Sequence, residues 1–221
     1  MGNLLKSSIG KKLIMSLSGF FLMIFLIVHL VVNATSLFGP EAFEAACEFM
    51  ALPIVKILVP VLAAGFIIHI AYATILTISN LRARGKQRYE VAQKGEADSW
   101  AARNMFVLGI IILGFLAFHL SHFWAEMQLK NFMGQEESDP NMLMSQTFGN
   151  IWVLGAYIIW FVALWFHLTH GFWSAFQSIG LNNSKWIGRL KVVAYIFATA
   201  IVAGFIIVAV VAHLNSGAPV I

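Results

Sequence analysis

The stretch IWVLGAYIIWFVALWFHLTHGFWSAFQS, Ile151 to Ser178, contains no charged side chain. A bilayer's hydrocarbon core is about 30 Å thick and takes about 20 apolar residues to cross as a helix, so this segment alone is long enough to span. Four more stretches share the property: Leu13 to Pro40, Ile57 to Leu81, Asn104 to Ala125 and Val192 to Ile221 also lack Asp, Glu, Lys and Arg. The 221-residue chain is 60% hydrophobic and 11% charged. A soluble chain carries about 25% charge, so a water-soluble globule is excluded. The expected fold is all-α, a five-transmembrane-helix bundle forming one domain over residues 1–221. The spans are expected at roughly 13–37, 54–79, 104–126, 151–178 and 192–214. Their continuous runs of Leu, Ile, Phe, Ala and Gly do not alternate, which argues against a membrane barrel. No cleaved leader is expected, because the first apolar stretch is a full span.

The loops orient this bundle. Lys6, Lys11 and Lys12 precede the first span; Arg82, Arg84, Lys86, Arg88, Lys94 and Arg103 join the second to the third; Lys185, Arg189 and Lys191 join the fourth to the fifth. Only Lys56 and Lys130 fall on the other side. The positive-inside rule therefore puts the amino terminus in the cytoplasm. The net charge of +4 is accounted for by this asymmetry and by anionic lipid heads, and gives no support to nucleic-acid binding. The polar segment Arg82 to Trp100 reads either as a helical cytoplasmic hairpin or as a flexible connector.

A single cysteine, Cys47, excludes an intrachain disulfide, an iron–sulfur cluster held by this chain's cysteines alone, and a c-type haem attachment. The sequence has neither a G-x-G-x-x-G turn nor a P-loop. Any soluble redox cofactor belongs to another chain.

Six of seven histidines lie inside the expected spans: His29 in LIVHL, His69 in FIIHI, His119 and His122 in AFHLSHFW, His167 and His170 in WFHLTHGFW. Ionisable groups in hydrocarbon are costly and serve a ligand, a metal or a proton path, or else find an interhelical hydrogen bond. One histidine in each of four helices, set among large apolar residues, suits two haems better than zinc, because a flat porphyrin needs one nitrogen on each face. His29 lies 17 residues after Lys12 and His119 16 after Arg103, which places both about 25 Å from the cytoplasmic charges at about 1.5 Å per residue. His69 lies 13 residues before Arg82, with His170 15 and His167 18 before Lys185, so a second pair sits nearer the cytoplasm with its partner on the fourth helix open between these two. His122 lies three residues from His119 on a neighbouring part of the same face and reads as supporting rather than ligating. His213, at the end of the fifth span, reads as solvated. The tryptophans Trp124, Trp152, Trp173 and Trp186 read as an interfacial belt, and Gly65, Gly109, Gly114, Gly155 and Gly171 as points of close helix approach.

Ser16 to Gly19 as S-x-x-G, HLVVN at His29 to Asn33, the lone histidine of the second helix, FHLSHFW at Phe118 to Trp124 and HLTHGFW at His167 to Trp173 together resemble the cytochrome b membrane anchor of succinate:quinone oxidoreductases, of the single-subunit, five-helix, dihaem type. The resemblance covers essentially the whole chain. It implies two haem b groups, the outer held by His29 and His119 and the inner by His69 and His167, with His170 as the alternative ligand or, like His122, a supporting residue, and Ser16 near an inner propionate. It further implies a bacterial inner-membrane complex with a flavoprotein subunit and an iron–sulfur subunit on the cytoplasmic face. In that complex the chain relays electrons to a membrane quinone, expected to be menaquinone, and dicarboxylate chemistry takes place on another subunit. Pairing of complexes into dimers stays open. The linker EAFEAACEFM, Glu41 to Met50, carries Glu41, Glu44 and Glu48 at helical spacing; Glu48, nearest the membrane entry, is the candidate acceptor of quinol protons, against the alternative that all three form a solvated face. Two other functions compete: a cytochrome b anchor of a hydrogenase or formate dehydrogenase, and a histidine-relay transporter, which would carry no haem.

Overall fold

The computed structural model describes residues 7–84, 100–181 and 183–217, and every regular element among them is helical. Among the described residues five helical stretches are long and apolar enough to cross a membrane: Ser8–Phe38, Pro53–Ala83, Met105–Phe132, Ile151–Ser178 and Lys185–Asn215. The fold is thus the five-span helical class that the charge-free stretches predict.

Four spans run past the expected ends, the second through Arg82 to Ala83, and for one reason. Helix α1 (Ser8–Ala34) takes in Lys11 and Lys12 before a 3-10 turn, Thr35–Phe38, that stops at Gly39 with φ 112°. The third span continues through Glu126 and Lys130, and the fifth begins at Ser184 rather than near Val192. Long charged side chains carry their heads to water while the backbone stays helical, so a charge marks where side chains leave hydrocarbon, not where backbone hydrogen bonding ends.

Helix α2 (Pro40–Met50) starts with proline in its first turn, buries Phe43, and exposes Glu41, Glu44 and Glu48, which makes it amphipathic. Helix α3 (Pro53–Lys56) is separated from α4 (Leu58–Arg84) by a break at Ile57. Pro60 explains the break, since it has no N–H for the Lys56 carbonyl and its ring crowds that carbonyl. A short α5 (Trp100–Arg103) precedes α6 (Met105–His119). From Leu120 to Leu129 the third span widens into a π-helix before α7 (Lys130–Phe132). The connector expected between Arg82 and Trp100 lies largely outside the described residues.

Helix α8 (Pro140–Gly149) has no counterpart in the sequence reading, although its start is well signalled. Asp139 Oδ1 accepts from the Asn141 and Met142 amides at 2.7 and 3.1 Å, and Pro140 occupies the first turn. Helix α9 (Ile151–Ser178) occupies the bounds expected for the fourth span and is capped by Asn150, whose Oδ1 accepts from the Trp152 amide at 2.9 Å. Helix α10 (Ser184–Asn215) is likewise capped by Asn183.

The chain divides into two compact units. The first comprises Met1–Phe25, Leu58–Gly109 and Phe166–Ala198. Lipid tails are as apolar as leucine, so its helices associate by close packing rather than by the hydrophobic effect. Ala194 and Ala198 of α10 are fully buried, and Gly65 of α4 lies against Phe21, where an added Cβ would meet ring carbons at 2.5 and 2.7 Å. Gly109, Gly114 and Gly155 face no such neighbour and Gly171 meets Met105 only at ordinary contact distance, so the close-approach expectation holds for Gly65.

The second unit comprises Leu26–Ile57, Ile110–Trp165 and Thr199–Ile221. Tyr157, 1% exposed, is packed by Phe115, Phe118, Phe148 and Trp160 with ring centres 5.0 to 6.1 Å away. Gly204 of α10 receives the Leu30 side chain of α1. A polar network fastens the end of the third span: Lys130 Nζ pairs with Glu126 Oε2 at 2.5 Å and donates to Ser138 Oγ at 3.0 Å, while Lys56 Nζ donates to Asn131 Oδ1 at 2.6 Å and Asn131 donates to Glu137.

Candidate functional site

In the first unit, α4 supplies His69 and α9 supplies His167, with ring centres 6.3 Å apart and planes at 64°. Ser18, buried on α1, brings its hydroxyl to 3.3 Å from His69 Nδ1. Ser16 is buried two residues earlier, and its hydroxyl donates to the Lys12 carbonyl at 3.0 Å. His170 stands three residues beyond His167, edge-on to Trp173 at 5.0 Å. Trp173 is itself buried, with Lys191 Nζ 5.3 Å from its ring centre, and so departs from the interfacial belt expected of it. Trp152 and Trp186 are exposed, as belt residues are.

In the second unit, α1 supplies His29 and the end of α6 supplies His119; their ring centres are 5.7 Å apart and their planes stand at 85°. Phe205, Phe115 and Phe123 surround the pair at 5.3 to 5.7 Å. Asn33 donates to the His29 carbonyl at 2.8 Å and lies 3.4 Å from His29 Nδ1. His122 faces Tyr157, whose hydroxyl oxygen is 3.2 Å from its Nδ1. His213 differs from its expected solvated state. It is buried, and its Nδ1–H donates to the Phe148 carbonyl at 2.7 Å, because α8 covers it. Glu48 is exposed along with Glu41 and Glu44. Beside them on α2, Cys47 is partly buried, and that burial, helped by Asp139 and Glu44, pushes its thiol up to about 11.

The four singled-out histidines are thus brought together two by two, one pair in each unit. The residues fit haem. The Nδ1 atoms of His119, His167 and His170 are buried without a hydrogen-bond partner, so no bond at Nδ1 accounts for the place of these rings in the bundle. Among the described residues no three His, Cys, Asp or Glu side chains gather into a metal-holding group. Two imidazoles alone do not complete a tetrahedral zinc shell, whereas they suffice for an iron whose other four ligands come from a porphyrin. The ring centres of the two pairs stand 5.7 and 6.3 Å apart, a spacing at which each pair of imidazoles would be able to hold one iron.

Sequence reasoning missed Ser18 and Tyr157. A tyrosine in the middle of a charge-free span was the available signal for the second, since a buried phenol needs a partner.

The chain is 31% identical over 175 residues to the succinate dehydrogenase cytochrome b558 subunit of Bacillus subtilis strain 168, an overlap that covers 76% of this chain and 78% of that protein. No family model and no solved structure matches it. Identity at that level over three quarters of both chains, on an all-helical fold with five membrane-crossing helices, places this protein in the family of cytochrome b membrane-anchor subunits of succinate dehydrogenase.

Proposed function

We propose that the chain is a single-domain, dihaem cytochrome b that anchors a succinate:quinone oxidoreductase, with His29 and His119 holding the outer haem b and His69 and His167 the inner. The observation that carries this reading is the meeting of four histidines from four helices as two pairs whose ring centres are 5.7 and 6.3 Å apart. When bound, haem supplies one-electron iron chemistry. The chain's own residues hold and orient the imidazoles, and the aromatic packing around His29 and His119 excludes water from them. His170 is the alternative to His167, Ser16 a propionate donor after its hydroxyl turns from the Lys12 carbonyl, and His122 a support fixed by Tyr157.

The twelve basic residues on one side support an amino terminus in the cytoplasm of a bacterium, where an iron–sulfur subunit docks and brings electrons from a flavoprotein that acts on succinate or fumarate. The electrons leave to a membrane quinone, menaquinone by expectation. Exposed on α2, Glu48 takes or gives the quinone's protons. Its test is Glu48→Gln, which should slow quinone turnover with haem content unchanged, while Glu41→Gln and Glu44→Gln leave turnover as it was.

The deciding experiment is haem stoichiometry and absorption of the purified complex in single variants. Replacing His29, His69, His119 or His167 by Ala should each remove close to one haem of two, and replacing His122 or His213 should remove none. A complex that keeps both haems in His167→Ala and loses one in His170→Ala would move the inner ligand to His170. A colourless wild-type preparation would overturn the reading.

A further inference from the structure

We propose that Ser18 is a positioning residue for His69, fixing which ring nitrogen carries the proton and adjusting the strength of the other as an iron ligand. The inference rests on the reading of His69 as a haem ligand. It starts from a count of protons. Ser18 is buried on α1, and its hydroxyl donates to the Met15 carbonyl at 3.0 Å. A hydroxyl has one hydrogen and two acceptor lone pairs. With that hydrogen on Met15, the Ser18 oxygen meets His69 Nδ1, 3.3 Å away, as acceptor. Nδ1 is therefore the protonated nitrogen, and Nε2 at the far side of the ring keeps its lone pair free for a metal.

The neighbouring residue completes the seat. Gly19 lies against the same imidazole, where an added Cβ would stand 3.7 Å from His69 Cε1. One turn of α1 thus supplies both the acceptor for the ring N–H and the surface along its edge. The partner ring of His167 has a buried Nδ1 with no hydrogen bond, so of this pair His69 is the ring whose orientation a hydrogen bond sets. An N–H that donates to oxygen raises the basicity of the opposite nitrogen, and a more basic ligand favours ferric over ferrous iron. Removing Ser18's oxygen should therefore make one haem easier to reduce.

The test uses the full complex carrying Ser18→Ala or Ser18→Thr, with haem content measured first and each haem then titrated by its absorbance. In Ser18→Ala both haems should remain, and the reduced-to-oxidised ratio of one should rise about three- to tenfold at fixed potential, tenfold being about 59 mV for one electron. Ser18→Thr, which keeps the hydroxyl, should restore the wild-type ratio. Unchanged ratios in Ser18→Ala with both haems bound would overturn the role of Ser18, as would equal loss of haem in the Ala and Thr variants, which would mark Ser18 as a packing residue only. His69→Ala, run alongside, separates the two failures: retention of both haems there would remove His69 as a ligand, whatever Ser18 does.

Discussion

Tyr157 and His213 show how much a single polar atom inside a membrane bundle depends on its partner. Tyr157→Phe removes one hydroxyl facing His122 Nδ1 and should cost about 0.5–1.5 kcal/mol, read as a small drop in the thermal unfolding midpoint in detergent with both haems retained. His213→Ala removes the donor to the Phe148 carbonyl and leaves a buried acceptor unpaired, about 1–3 kcal/mol, so it should lower the midpoint further. The paired histidines were legible in the sequence because an imidazole in a charge-free run stands out whatever surrounds it. Ser18 was not, because serines commonly bond the carbonyl one turn back, and its second contact depends on the rotation of α4 against α1. His213 was misread because its environment is made by α8, sixty-five residues away along the chain.

Among the elements, the five spans were legible from hydropathy alone, while their ends were not, since lysine and arginine can stay helical beyond the hydrocarbon. The break at Ile57 was visible in Pro60, and α8 in Asp139–Pro140, but neither cue was strong against the apolar signal around it. Helix packing within the first unit gives a direct test at Gly65. Gly65→Val should press on the Phe21 ring and destabilise by about 1–3 kcal/mol, whereas Gly114→Val, with open space at its Cβ, should change the unfolding midpoint far less. On α2, the raised Cys47 thiol predicts slow alkylation. At pH 8 only about one thiol in a thousand is ionised when the pKa is near 11. The rate should climb about tenfold per pH unit past pH 9, where an ordinary thiol levels off. The sign for stability follows: the neutral thiol's contribution is complete below 9.0 and is lost as pH rises through 9.0 towards about 11.

For the whole molecule, orientation is the property that decides which partners can reach it. If the basic loops face the cytoplasm, a phosphatase reporter fused after Ile221 should be active outside the cell and a fluorescent reporter at the same point dark; the opposite result would invert the docking face. Neutralising Arg82, Arg84, Lys86 and Arg88 should weaken retention of the iron–sulfur subunit more at low salt than at high salt, as measured by co-purification.

The π-helix from Leu120 to Leu129 has a genetic consequence. A widened turn of this kind is how a helix absorbs one surplus residue without opening a loop, and such turns gather beside functional positions. Deleting Ser121 should let the segment rewind to ordinary pitch and still yield a folded, membrane-inserted chain. The same deletion at Ile111, upstream of His119, would swing that imidazole about 100° around the helix axis and away from its counterpart. Length variants among natural relatives should therefore be tolerated after this histidine and purged before it.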